Sequence, residues 1–390
     1  MDVLFSEEEL TFREKVREFV QKEIIPKVDQ IERENVYPRD IIRKLGEEGF
    51  LGILHPKEYG GTNRGLIYEV ILAEEISAVC PSLDMSRMSS ATLYAMPINR
   101  FGTDEQKRKY LTPIIKGEKI GALGITEPNA GSDVASMETR AEKDGDEWVI
   151  NGEKRFITNG SVADYIVLFA ITDPSVDPRK GMTAFIIETD KPGFKVIKDF
   201  ELMGMRGCRN THFALENYRV GEENILGGLN NGFKVLMDEL DTERVAIAAE
   251  AVGYARGAFE VAVKYSMERI QFKRPIRMFE AISFRIADMA TKIEAARLLA
   301  IKAARMIDRG LKATKEASMA KLFATEMAFE VCDAALQILG GIGYTKEMPV
   351  EKLLRDSRLM RIGGGTSEIQ RFVIQREIYK EFGKNNKLQK

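Results

Sequence analysis

The sequence predicts an α+β, multi-domain protein in which a helical unit, a β unit and a second helical unit follow one another along the chain. Three observations predict it. From Ser6 to about Lys116, apolar residues recur near helical spacing. From about Ile120 to Ile197, short apolar runs alternate with Gly-, Pro- and Asp-rich turns, the pattern of an antiparallel sandwich or barrel. After Gly232 come Phe233 to Ile270, Phe279 to Arg309 and Thr314 to Leu339, each longer than an average globular helix, which together suggest a bundle. The units are expected at residues 1–118, 119–230 and 231–390.

Each element has a local reason. Ser6 followed by Glu9 reads as a capping box, and Leu10, Phe12, Val16, Phe19 and Val20 continue the helix it opens. Pro26 and Pro38 punctuate the chain, and Asp40 is placed to cap a helix carrying Ile41, Ile42 and Leu45. A turn from Tyr59 to Asn63 precedes a helical stretch through Ala73, Glu74 and Ile76. Pro81 to Tyr94 is helix-like but polar, with Asp84, Arg87 and several serines, and Thr103 to Tyr110 opens the last helix of this unit. The predicted strands are Trp148 to Asn151, Lys154 to Thr158, Tyr165 to Ile171, Met182 to Glu188 and Phe194 to Ile197.

Composition excludes several classes. The 390 residues are 44% hydrophobic and 30% charged, enough for a large core. A formal net charge of −2, with both signs interleaved, argues against a nucleic-acid or membrane-surface partner. Met1 to Glu7 lacks a basic n-region and no apolar run reaches membrane-span length, so neither a signal peptide nor a span is expected. Cys80, Cys208 and Cys332 are far apart and fit neither a disulfide framework nor a zinc pattern, which points to a reducing cytoplasm. With His55 and His212 as the two histidines, no metal site is expected. No Gly-x-Gly-x-x-Gly follows a strand and there is no Walker loop, so a dinucleotide would not bind in the Rossmann manner.

Three stretches carry the chemistry. Gly363-Gly364-Gly365 runs directly into Thr366, Ser367 and Glu368, a flexible turn feeding a hydroxyl-capped helix. Such a helix start suits an anion, and the glycines let a ligand approach bare backbone; an ordinary capped helix is the alternative reading. Ile125 to Asp133 and Phe156 to Gly160 each join an apolar residue and a threonine to a polar, glycine-containing turn.

Together with Gly145 to Gly160, Glu268 to Ile276, Asp288 to Leu299, Thr314 to Phe323, Gln337 to Tyr344 and Gly363 to Gln370, these motifs resemble the flavin-dependent acyl-CoA dehydrogenase family over essentially the whole chain. The resemblance implies an N-terminal all-α domain, a middle β-barrel or sandwich and a C-terminal four-helix bundle. FAD would lie between the last two, its site completed by a neighbouring subunit, commonly in a homotetramer. Leu123 to Ser132 would form one wall of the flavin and acyl-CoA site, with Thr126 and Thr158 hydrogen-bonding the isoalloxazine. Ile125, Phe156 and Ile157 would pack on the flavin or meet it through backbone, and Ser132 would also lie near CoA. Arg269 and Phe272 match an Arg-x-x-Phe element on the FAD pyrophosphate and adenosine. Gln337, Gly340 and Gly341 match a loop that reaches FAD from the adjacent subunit, and Thr366 and Glu368 also lie against FAD. Asn129, Lys273 and Glu280 depart from the family's usual glycine, glycine and glutamine.

Gly364 stands where many relatives carry a catalytic glutamate. Glu243 stands where isovaleryl- and long-chain-type members carry theirs, so the resemblance makes it the base; without that context it reads as an exposed glutamate near a helix start. Asp241 and Arg244 match CoA contacts, Gly365 is expected beside the substrate, and the Gly364 amide would polarise the thioester carbonyl. The implied reaction is α,β-dehydrogenation of an acyl-CoA, with electrons passing to an electron-transfer flavoprotein. Enoyl-CoA reduction, or elimination of an acidic β-substituent, is the alternative. Arg87 reads either as a solvated helix arginine or as a partner for an anionic acyl substituent, and Asp84 is the next candidate base.

Overall fold

The structure, a computed structural model, describes residues 3–385; Met1 and Asp2, part of the segment read above for a leader, lie outside it. The predicted capping box opens α1 (Glu7–Phe19): Ser6 Oγ accepts from the Glu9 amide and the Glu9 carboxylate accepts from the Ser6 amide. The same carboxylate receives both Nη atoms of Arg305 at 2.6 Å, so the cap also fastens the first helix to the C-terminal unit. After α2 (Ile25–Glu34), α3 (Arg39–Glu47) begins two residues earlier than expected, because the Pro38 carbonyl accepts the first helical amides. Asp40 therefore lies inside the first turn and pairs with Lys27 instead of capping.

Next, α4 (Leu66–Ser77) is buried on nearly every side, as its run of apolar residues requires. Then α5 (Pro81–Met88) passes into a π-helical turn over Ser89–Tyr94 before α6 (Ala95–Phe101).

The middle domain is one mixed sheet: β1 (Gly121–Gly124), β2 (Arg140–Asp144), β3 (Glu147–Thr158), β4 (Tyr165–Ile171), β5 (Met182–Glu188), β6 (Phe194–Asp199), β7 (Asn210–Gly221) and β8 (Ile225–Leu226). The strand order is β6-β7-β3-β2-β4-β5-β8, with β1 beside β4. Most pairs are antiparallel, as expected, but β1 and β2 both run parallel to β4. The strands predicted at Trp148 and Lys154 are one strand, β3, bent by register shifts between Ile150 and Gly152 and between Lys154 and Ile157. Four strands were not anticipated: β1 and β8 are short, β2 is mostly polar, and polar Glu216 and Asn217 break the apolar alternation of β7.

The C-terminal domain holds α7 (Gly232–Glu268), α8 (Glu280–Asp308), α9 (Thr314–Leu339), α10 (Val350–Leu359) and α11 (Ser367–Asn385). Helices α7, α8 and α9 pack mutually, and α11 lies on α9. Between α7 and α8 sits a two-stranded hairpin, β9 (Ile270–Gln271) and β10 (Arg274–Pro275). A single hydrophobic core runs through both helical domains, and two smaller ones involve the sheet. No helix among the described residues is long and apolar enough to cross a membrane, and no cluster of three metal-ligating side chains occurs among them.

Candidate active site

Glu239, Glu243 and Ile247 follow one another at four-residue spacing along one face of α7. Glu243 is partly buried; that burial raises its carboxyl pKa above the ordinary value, while Arg244 and Lys321 pull the other way. Against this face lies the loop between α10 and α11. Gly364 has φ +61°, and a Cβ there would sit 2.2 Å from Ile247 Cδ1 and 3.3 Å from Glu243 Oε1. The loop can approach Glu243 this closely because Gly364 has no side chain.

The loop's carbonyls point into the protein. Gln370 Nε2 donates to Gly364 O and Gly365 O at 3.0 Å, and Lys321 Nζ donates to Met360 O and Gly365 O at 2.8 Å. The Gly364 N–H has no partner among the described residues. Thr366 caps α11 by accepting from the Ile369 amide at 3.3 Å, which leaves Glu368 exposed in the first turn, as expected. One residue beyond Glu243, Arg244 is buried and donates to Asp241 at 3.0 Å, and Asp241 also accepts from Thr314 at 2.7 Å. Arg244 Nε is buried without a partner among the described residues, a spare donor beside the Glu243 cleft.

On the sheet, the bulge in β3 turns Lys154 inward and Phe156 outward. Lys154 is 0% exposed and donates to Glu127 Oε1 at 2.7 Å and to Ile125 O at 3.2 Å. Glu127 also accepts from the Thr139 amide at 3.1 Å, and the Arg155 amide donates to Thr126 O at 2.7 Å. Burial pushes the Glu127 carboxyl up, but Lys154 and the amides override it and hold it below its usual range. The Ile125–Thr126 turn is thereby fixed beside the Arg155–Thr158 stretch. Phe156 is 51% exposed at φ +58°, its ring 4.8 Å from Phe200. Leu123 and Ile125 are partly buried, Ile157 is buried and Ser132 is exposed. The hydroxyls of Thr126 and Thr158 make no hydrogen bond among the described residues, while Ser89 Oγ from the π-helical turn donates to Thr158 O at 3.4 Å.

Other expected residues lie far from this cleft within one chain. Arg269 and Glu243 stand toward opposite ends of α7, about 39 Å apart along its axis. Arg269 is exposed and forms no ion pair among the described residues, and Phe272 is 88% exposed at φ +49°. Gln337 lies on α9 about 24 Å from Lys321, and Gly340 and Gly341 beyond it face open space.

The expectation for Arg87 does not hold. Its guanidinium is 0% exposed and donates through both Nη atoms to Glu69, at 3.1 and 2.7 Å, and through Nε to Asp84 at 2.5 Å. With its fork taken by two buried carboxylates, it has no face for a substrate anion. Asp84 is tied up by the same pair and by Ser77, so it is a poor spare base.

Sequence reasoning also missed Lys154, Glu127, Glu239 and Lys321. A signal existed for Lys321, which shares a face of α9 with buried Ala317, Ala324 and Ala328: a charge on an apolar stripe.

Comparison with known proteins decides the family. Residues 6–118, 122–218 and 230–379 match the profiles of the acyl-CoA dehydrogenase N-terminal, middle and C-terminal domains. The chain belongs to the acyl-CoA dehydrogenase family. It is 43% identical to a probable acyl-CoA dehydrogenase, YngJ, of Bacillus subtilis, over 97% of this chain and 100% of that one. It is 42% identical to the caffeyl-CoA reductase-Etf complex subunit CarC of Acetobacterium woodii, again over 97% and 100%. The structure of butyryl-CoA dehydrogenase from Megasphaera elsdenii superposes with a TM-score of 0.94 at 37% identity, covering 97% of this chain and 100% of that one.

The cofactor of this acyl-CoA dehydrogenase-type chemistry is FAD, and the residues present fit it. Two threonine hydroxyls lack partners among the described residues, beside an exposed aromatic ring held at positive φ. An uncommitted guanidinium and two open glycines are suited to phosphate and adenosine. Lys273 adopts φ +65°, a left-handed conformation that glycine takes more readily than lysine.

Proposed function

We propose that this enzyme removes the α-proton of an acyl-CoA thioester with Glu243 and yields the 2-enoyl-CoA. FAD, when bound, supplies the acceptor for the β-hydride. The observation that carries the reading is a partly buried carboxylate of raised pKa set against a side-chain-free turn with an unpaired backbone amide. The carboxylate accepts the α-proton, and its raised pKa brings proton affinity toward the working range. The Gly364 N–H donates to the thioester carbonyl, which lowers the cost of negative charge developing there. Arg244 and Asp241 hold the CoA end, with Arg244 Nε as the spare donor, while Gly365 and Ser132 line the path. On the sheet side, Thr126, Thr158, Phe156 and Ile157 hold the flavin ring and exclude water from it. Thr366 and Glu368 lie against FAD.

The wide separation of Arg269, Phe272, Gln337, Gly340 and Gly341 from the Glu243 cleft supports a neighbouring subunit completing each FAD site. The assembly is a homotetramer, and exposed Phe284, Phe372 and Phe382 on the C-terminal helices supply apolar surface for it. The location is cytoplasmic. Electrons pass to an electron-transfer flavoprotein, a reading supported by the Etf complex to which the Acetobacterium relative belongs. That relative's name also favours a second reading, reduction of an enoyl-CoA on the same site.

One anaerobic experiment separates them. The holoenzyme is titrated with a panel of saturated acyl-CoAs while flavin absorbance is followed. Bleaching by a saturated thioester supports dehydrogenation. No bleaching by any member, with reoxidation of the dithionite-reduced enzyme by an enoyl-CoA, supports reduction.

A further inference from the structure

Lys321 joins two parts of the site that arrive from different elements. Its ammonium is 0% exposed and donates to Met360 O, at the end of α10, and to Gly365 O, each at 2.8 Å. These bonds tie down both ends of the segment that carries Gly364. The same ammonium is one of two cations acting on Glu243, and the other, Arg244, is already paired with Asp241. A lysine in the apolar stripe of α9 is costly to bury unless its hydrogen bonds are met, and here two backbone carbonyls of one loop meet them.

We infer that Lys321 is a positioning residue that holds the Gly364 amide in register with the Glu243 carboxylate and sets the charge around that carboxylate. The inference rests on the reading of Glu243 as base and Gly364 as amide donor. The loop has three glycines in a row, so without an anchor its backbone would sample many conformations. Gln370 anchors the carbonyls from α11; Lys321 anchors them from α9, and it alone adds charge. The charged groups acting on Lys321 are Glu243 and Arg244 on α7, Glu326 on its own helix and Glu368 at the start of α11. Burial lowers the Lys321 pKa to about 8, so its charge is itself adjustable near neutral pH.

The test uses FAD-loaded Lys321→Met with two readouts beyond turnover. Amide hydrogen exchange should quicken at residues 360–366 while the rest of α9 and α11 keeps its protection. The pH midpoint of flavin reduction should move upward, since removing a cation makes Glu243 harder to deprotonate. The reduction rate at neutral pH should fall on the order of 10²-fold, the scale of a small misplacement of reacting groups. Unchanged exchange in that segment together with an unchanged midpoint would overturn the inference. If Lys321→Met does not fold, Lys321→Gln, neutral but still a donor, is read by the same midpoint criterion. Glu243→Gln in parallel isolates the underlying reading. If that variant reduces its flavin normally the base assignment fails, while the exchange result still judges the loop.

Discussion

Glu243 and Gly364, 121 positions apart in the sequence, occupy one spot: a Cβ on Gly364 would lie 3.3 Å from Glu243 Oε1. The two positions that the family resemblance offers for a catalytic carboxylate are thus adjacent here, and only one of them bears a side chain.

Glu243→Gln should retain FAD and bind acyl-CoA, yet reduce its flavin about 10²–10⁴-fold more slowly, the usual cost of losing a general base. Stopped-flow absorbance under anaerobic conditions measures it. A rate near wild type would remove Glu243 from the mechanism.

Gly364→Ala tests the close approach. The φ of +61° costs an alanine about 1–2 kcal/mol, and its Cβ meets Ile247 Cδ1 at 2.2 Å. Thermal unfolding should register the loss. Adding Ile247→Val, which deletes that methyl, should recover the steric part and leave the backbone part. No recovery in the double variant would show that the contact is not what limits the site.

Glu239 carries a pH prediction. Burial, and then the nearby Glu243, raises its pKa well above the ordinary carboxylate value, and both its oxygens lack partners among the described residues. The folded protein therefore holds this proton more tightly than the unfolded chain, and stability falls as pH rises past the ordinary carboxylate range. Glu239→Gln should raise the melting temperature at pH 8 and change it little at pH 4. An equal shift at both values would contradict the assignment.

Lys154→Met would leave Glu127 buried without its cation. Breaking such a pair costs about 3–5 kcal/mol, and the Ile125–Thr126 turn would loosen with it. FAD content after gel filtration should fall along with stability. The double variant Lys154→Met, Glu127→Gln should regain much of the stability, because no unpaired charge remains; an equally unstable double variant would place the effect in packing.

Arg269→Ala should weaken FAD retention with little change in monomer folding, since the guanidinium is exposed and unpaired among the described residues. Lys273→Gly, in the turn between β9 and β10, should gain up to about 1 kcal/mol by relieving φ +65°. Unchanged FAD content in the first variant would count against a phosphate contact.

The sequence by itself determined the order helical, β, helical, the capping box at Ser6, the long C-terminal helices and the family. These depend on periodicity and motifs read over a few turns, and such signals survive in one dimension. It also marked Glu243 and Gly364 as alternatives for one carboxylate, and the fold does bring them together. Tertiary structure alone decided where the charges went. Arg87 looked like a candidate for solvent or ligand and is instead enclosed by Glu69 and Asp84 from within the helical domain. Lys154 and Lys321 drew no functional reading from the sequence and are buried against Glu127 and the Gly365 carbonyl. The length of α7 separates Arg269, read as an FAD contact, from Glu243, read as the base. The physical reason is common to all of these: a buried charge is stable only when its partners are supplied, and those partners come from segments far away in the sequence, so no local pattern records them.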